Sequence, residues 1–370
     1  MYDQIREDTT FIMLYAVVTA MAAMASIYLL RRRGNAFVAG ITTPRRLRRW
    51  TAVFFAVMAV GHVWYIPSMV LDSSEEVQLC LLIGGLLDCL LTIPLVLVVM
   101  LCMLQDRRRP LWPVGVMVAP LVLGVIACIV TRSEALTPWL RGYFLLASLG
   151  FTIYMVRAVM QYGHWLRDNY ADLENKEVWK SFVVLAVVML MFDYYVLGYG
   201  GMIYEYVVQV CGIVLICLLL WRVETLQALP APEDVVRLRT KSSEMEESDD
   251  DAGVEDIGPL LRQHCEDTQL YLQRDLTLSH LAQAIGTNRT YLSQYFSGQN
   301  TTYNAYINTL RVDHFIRLYR EATAAGLSVT AQQLASESGY RSYSTFSQAF
   351  KQHTGQSVTA WIREEGCPTG

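Results

Sequence analysis

The amino-acid sequence predicts an all-α protein in two parts, a seven-span transmembrane helix bundle followed by a small helical domain built on two helix-turn-helix units. Three observations carry this expectation. Long uncharged apolar runs are confined to the region before about residue 222, arginine-rich and acidic loops alternate between them, and a short motif recurs near the carboxyl end at an offset of 53 to 54 residues.

A chain of 370 residues that is 53% hydrophobic and 17% charged holds more apolar material than a water-soluble core of its size requires. A helix crosses the hydrocarbon layer with about 20 apolar residues, because every backbone N–H and C=O must there be bonded internally. Seven runs qualify, near Phe11–Leu30, Trp50–Leu71, Val77–Leu104, Leu111–Val130, Pro138–Met160, Ser181–Leu197 and Met202–Trp221. Ser181–Leu197 is the shortest. The segment Met1–Thr10 is acidic and Arg31, Arg32 and Arg33 follow the first run, flanks that favour an outward N-terminus and an uncleaved anchor.

Positive charge marks the loops that stay inside. Arg31, Arg32, Arg33, Arg45, Arg46, Arg48 and Arg49 fill the first loop, Arg107, Arg108 and Arg109 the third, and Arg167, Lys176 and Lys180 the fifth. Asp72, Glu75 and Glu76 lie between the second and third spans. This alternation expects a multi-pass protein of the cell inner membrane, with everything after residue 222 in the cytoplasm.

Charges inside spans are costly unless paired or wetted, so Asp88, Arg141, Arg157, Asp193 and Glu205 stand out. Asp88, Arg141, Asp193 and Glu205 are candidate sensor residues for an unknown signal molecule or membrane partner. The cluster Asp193, Tyr194, Tyr195, Tyr199, Tyr204, Glu205, Tyr206 has two readings: an interfacial tyrosine belt with helix pairing, or an outward-facing sensor pocket.

Neither a metal nor another cofactor is expected. Cys80, Cys89, Cys102, Cys128, Cys211 and Cys217 lie within apolar runs, where a thiol packs as a small apolar group, and Cys265 and Cys367 stand alone. The six histidines show no metal-ligand spacing. No Ser/His pair, paired Asp or metal motif suggests an intramembrane enzyme.

After the last span, Pro230 and Pro232 break any continuing helix and Lys241–Ala252 reads KSSEMEESDDDA. Residues 225–255 hold three basic against nine acidic side chains, and a flexible coil of that length would span roughly 30 Å. A disordered spacer is expected. An acidic strand competing with phosphate for basic side chains is the alternative.

The repeat pairs Leu281-Ala282-x-x-Ile285-Gly286 and Tyr291-Leu292-Ser293-Gln294-Tyr295-Phe296 with Leu334-Ala335-x-x-Ser338-Gly339-Tyr340 and Thr345-Phe346-Ser347-Gln348-Ala349-Phe350. Each copy reads as a short helix, a glycine turn and a second helix. Gly286 suits the positive φ that ends the first helix, and Asn288 is a good N-cap for the next. Tyr291, Leu292, Tyr295 and Phe296 are expected to bury one side of that second helix. Asn288, Arg289, Thr290, Ser293 and Gln294 are then left for bases or phosphates, as are Arg341, Ser342, Tyr343, Ser344, Ser347, Gln348 and Lys351 in the second copy. Tyr303, Tyr306, Ile307, Leu310, His314 or Phe315, and Leu318 recur at helical spacing and predict one long connector. Two such units on one connector can enter successive major grooves about 34 Å apart.

Residues from about Asp256 to Glu365 resemble the AraC-family DNA-binding domain. The resemblance rests on Leu334-Ala335, Gly339-Tyr340, Thr345-Phe346-Ser347-Gln348, Phe350-Lys351 and Gly355-Gln356-Ser357-Val358, with Leu292-Ser293-Gln294-Tyr295-Phe296 and Asn308-x-x-Arg311 from the first unit. It implies a seven-helix fold, transcription control and double-stranded DNA as partner. Gln294 and Gln348 stand where the family usually has arginine, Ser297 where it has a basic residue, and Val358 where it has proline. Over Asp256–Gly370 nine Lys/Arg meet nine Asp/Glu, so phosphate attraction is weak, and a homodimer formed through the membrane half would compensate.

The expected organisation is a transmembrane domain at 1–222, an acidic linker at 223–255 and a DNA-binding domain at 256–370. Arg289, Ser293, Gln294, Tyr343, Ser344 and Gln348 are the expected base readers, with Arg341 and Lys351 on phosphate. The rival is a transporter or channel with a regulatory tail. It needs polar residues along a route and inverted symmetry between halves, and the spans supply neither clearly.

Overall fold

The computed structural model describes residues 7–32, 42–71, 73–133, 135–196, 201–229 and 257–365. The expected linker falls almost wholly outside these residues, as do Asp72, Tyr199 and Cys367. Among the described residues every regular element is a helix, and the chain divides into two compact units, Met1–Tyr162 with Val178–Val236, and Gly163–Glu177 with Arg237–Gly370.

The first unit contains α1 (Thr9–Arg31), α2 (Arg45–Val70), α3 (Ser74–Leu87), α4 (Ile93–Met103), α5 (Trp112–Thr131), most of α6 (Thr137–Asn169), α7 (Trp179–Val196) and α8 (Met202–Thr225). Asp88–Thr92 joins α3 to α4 as a π-helical turn. Pro94 follows it at the start of α4 and supplies no N–H to the turn before, which favours the wider coil.

Among the described residues six helices are long and apolar enough to cross a membrane: Thr9–Arg31, Arg45–Ser68, Glu75–Met103, Trp112–Thr131, Thr137–Asn169 and Met202–Thr225. Six of the seven expected spans are matched by these helices, and the seventh falls on α7, which ends where the described residues end. The run near Ser181–Leu197 overlaps α7, whose 18 described residues make a rod of about 27 Å. The six helices turn much of their apolar surface outward. Met13, Met24 and Leu30 on α1, and Leu123 and Val130 on α5, are all more than half exposed.

Polar contacts inside this unit bind helix to helix. Ser26 donates to Ala52 O at 2.8 Å and Tyr15 to His62 O at 2.7 Å, both joining α1 to α2. Arg48 joins three helix ends, donating to Leu29 O at 3.0 Å and Arg32 O and pairing at 3.1 Å with the buried carboxylate of Glu224. Beyond α8 the Gln105 amide grips the outgoing chain, donating to Gln227 O and accepting from Leu229 N, each at 2.9 Å.

Two of the candidate sensor residues accept hydrogen bonds from neighbouring helices. Asp88 accepts from Tyr65 at 2.7 Å, Asp193 accepts from Ser148 at 2.9 Å, and Arg141 is exposed. Glu205 lies in the first turn of α8. Of the tyrosine cluster, Tyr194 and Tyr204 stand with ring centroids 6.1 Å apart, and Tyr206 donates to Asp8 at 2.7 Å.

In the second unit, the described part of the tail carries seven α-helices: α9 (Ile257–Leu261), α10 (Leu278–Ala284), α11 (Arg289–Gly298), α12 (Tyr303–Ala324), α13 (Ala331–Glu337), α14 (Tyr343–Thr354) and α15 (Val358–Glu365). They pack around two separate cores. Leu261, Cys265, Leu281, Leu292, Phe296, Tyr303 and Ile307 form the first, and Val312, Phe315, Leu334, Phe346, Phe350 and Trp361 the second. The predicted long connector is α12, and its side chains enter both.

Candidate nucleic-acid interface

Each repeat folds as two helices across a glycine turn. In the first, Thr277 caps α10, Gly286 takes φ +74°, and the Asn288 side chain accepts from Tyr291 N at 2.9 Å to cap α11. In the second, Thr330 and Gln333 form a reciprocal capping box on α13, Gly339 takes φ +87°, and Ser342 caps α14 by accepting from Thr345 N at 3.3 Å. Asn288 and Ser342, both candidate DNA contacts, therefore already use their side-chain oxygens to start the outer helices.

Leu292 and Phe296 seat α11 in the first core, and Phe346, Ala349 and Phe350 seat α14 in the second. Arg289, Thr290 and Gln294 are left exposed with Ser293 half-buried, and Tyr343, Ser344, Gln348 and Lys351 are exposed with Ser347 half-buried. These are the faces expected from the sequence, with one correction. Tyr291, expected to anchor α11, is 57% exposed and joins the polar face. The seam runs through Leu292 and Phe296, four residues apart, and Tyr291 lies about 100° around the helix from Leu292.

Arg311 is a residue whose position the sequence did not reveal. It is 1% exposed at the junction of the two cores, donating to Tyr271 O and Gln273 O, each at 2.7 Å, with its guanidinium 5.6 Å from the Tyr340 ring centre. Burial lowers its pKa, and the surrounding carbonyls and ring hold the charge. It is a structural pin, and phosphate cannot reach it. Nearby, burial followed by the positive charge of Arg317 lowers the pKa of His314, whose Nδ1 lies 2.7 Å from Arg317 Nη2. Burial pushes the Cys265 thiol up to about 12.

Two arginines of the candidate interface are engaged by the segment Gly163–Glu177 of the same unit. Arg289 donates through Nε to Asn169 Oδ1 at 2.9 Å and through Nη2 to the same oxygen. Arg341 pairs with Asp275 and lies 3.7 Å from Asp172. Among the described residues no group of three or more His, Cys, Asp or Glu could hold a metal ion.

Residues 281–364 match an AraC-type helix-turn-helix domain. The match begins at Leu281 in α10 and ends inside α15, so it covers both units and the connector but under a quarter of the chain. No curated protein and no solved structure matches the chain. The helix-turn-helix domain belongs to a DNA-binding regulatory family and not to an enzymatic one, which supports DNA as partner and transcription regulation as role.

Proposed function

We propose that this chain is a membrane-tethered, sequence-specific DNA-binding transcription regulator, anchored in the cell inner membrane with its helix-turn-helix domain in the cytoplasm. The observation that carries the reading is the pair of outward polar faces on α11 and α14, each mounted on its own core and joined by α12. The 22 residues of α12 make a rod of about 33 Å, close to one turn of duplex DNA. Six long helices with outward apolar side chains support the tether, and the arginine-rich loops support the orientation.

Arg289, Thr290, Ser293 and Gln294 would read one half-site and Tyr343, Ser344, Ser347 and Gln348 the next, with Arg341 and Lys351 on phosphate. The two glutamines suit adenine, to which an amide can bond in a bidentate manner. The domain's balanced charge gives little nonspecific attraction, so two units acting together, or a homodimer, would supply the affinity. A signal acting on Asp88, Arg141, Asp193 or Glu205 completes the proposal.

The test is selection from a random DNA pool by the full-length chain in lipid nanodiscs. Enrichment of two sequence blocks about one helical turn apart is expected. A pool that stays random at low salt, or a reporter at the carboxyl end that is active only outside the cytoplasm, overturns the reading.

A further inference from the structure

We infer that the segment Gly163–Glu177 is an inhibitory strap that holds the starts of the two outer helices, at the edge of the DNA-reading faces, and must leave before DNA can bind. The inference rests on the DNA-binding reading above and adds a means of regulation to it.

Three oxygen-bearing side chains of this one segment meet both helix-turn-helix units. Asn169 takes both bonds from Arg289, the first residue of α11. Asp172 faces Arg341, just before the α14 cap, and Glu174 accepts from Thr345 in the first turn of α14 at 3.3 Å. A duplex would place phosphate oxygens at these same positions, because helix starts and their flanking cations are where the DNA backbone is gripped. The segment holds four acidic and two basic residues, so it offers the charge sign of the ligand it would exclude.

The strap is seated by its own contacts. Asn304 donates to Tyr170 O at 3.1 Å and Ala171 O at 2.6 Å, Tyr170 forms an antiparallel bridge with Thr277, and Ala171 is buried in the first core. Its turn is fixed from within by Glu174 N bonding to Asp172 Oδ1 at 2.9 Å and by Lys176 bonding to Asp172 O at 2.8 Å. This shape places the carboxylates against groups with no part in either core. The domain's zero net charge fits the same logic: a ligand gripped by few cations can be displaced by a short strap.

Chain connectivity supplies the control. The strap is the end of α6 and the loop from it towards α7, and the arginine pattern puts that loop on the same side as the tail. A change in tilt or spacing at those helix ends would be delivered to it along the backbone.

The test uses the full-length chain in nanodiscs, wild type beside the triple variant N169A/D172N/E174Q, with DNA enriched in parallel from one random pool. Asn at 172 retains an oxygen for the Glu174 turn. The variant should bind about tenfold tighter, the factor expected if the strap leaves one molecule in ten competent. In the wild type, DNA should raise hydrogen exchange over residues 170–177, a readout independent of whether the variant folds. Equal or weaker binding by the variant, or unchanged exchange with DNA bound, overturns the strap and leaves DNA binding standing. Failure of both proteins to enrich any sequence overturns the DNA-binding reading itself, and the strap with it.

Discussion

Gly339 leaves the space that the buried guanidinium of Arg311 fills. A Cβ at position 339 would stand 3.1 Å from Arg311 Nε and 2.6 Å from Leu272 O, on a backbone already at φ +87°. The turn of the second unit is thereby fitted against the pin between the two cores. Gly286, the matching turn residue of the first unit, has φ +74° and nothing within 4 Å of its Cβ position.

G339A should therefore destabilise the tail far more than G286A. The left-handed backbone alone costs a non-glycine residue about 1–2 kcal/mol. Overpacking against a backbone carbonyl adds roughly 1–3 kcal/mol at position 339 only. Pulse proteolysis of the membrane-inserted chain across a urea series measures the difference, and equal losses would contradict the packing.

R311K should not rescue the role of Arg311. Lysine cannot serve Tyr271 O and Gln273 O with two fixed donors while lying flat against Tyr340. A loss of about 2 kcal/mol is expected for R311K and more for R311A, because each charge-assisted bond is worth about 1.5–3 kcal/mol. Y340F, which removes only a 3.4 Å bond to Asn308 O, should be close to neutral. The same proteolysis series ranks the three.

Tail stability should fall as pH drops through the histidine range. Burial and Arg317 hold the folded-state pKa of His314 below its ordinary 6.5. In acid the unfolded chain therefore takes up a proton that the folded chain refuses, and stability is lost below about 6.5 down to the folded pKa. Tyr271 and Arg317 face the ring, and Glu321 and Glu337 oppose the shift from farther away. H314Q should flatten this slope between pH 7.5 and 5.5. An identical slope in the variant would assign the effect to another group.

On DNA, K351A should weaken binding evenly across sequences and lower the salt slope by about one. Q294A and Q348A should instead relax sequence preference, each by about 1–3 kcal/mol at its own base pair. Selection from a random pool at two salt concentrations separates the two behaviours.

Much of the tail was legible because its determinants are local. A leucine–alanine pair, a glycine at positive φ and an N-cap mark each unit, and the paired anchors Leu292/Phe296 and Phe346/Phe350 fix which side faces outward. Tyr291 was misplaced because an aromatic beside a two-residue seam lies on either edge, and only packing decides. The role of Arg311 was hidden because its acceptors are backbone carbonyls some 40 positions away, which leave no trace in residue type. The strap was hidden for the same reason: Asn169 and Arg289 are 120 positions apart, and neither has a signature of meeting the other.

The grip of Gln105 on Gln227 and Leu229 fixes where the chain departs from α8. From that mooring to Ile257 only 27 residues intervene, which fully stretched reach about 100 Å. Under the proposed function, a regulator leashed in this way would stay beside the membrane. Its operator would then have to come to the membrane, so the frequency of that approach would become part of the response time of the gene.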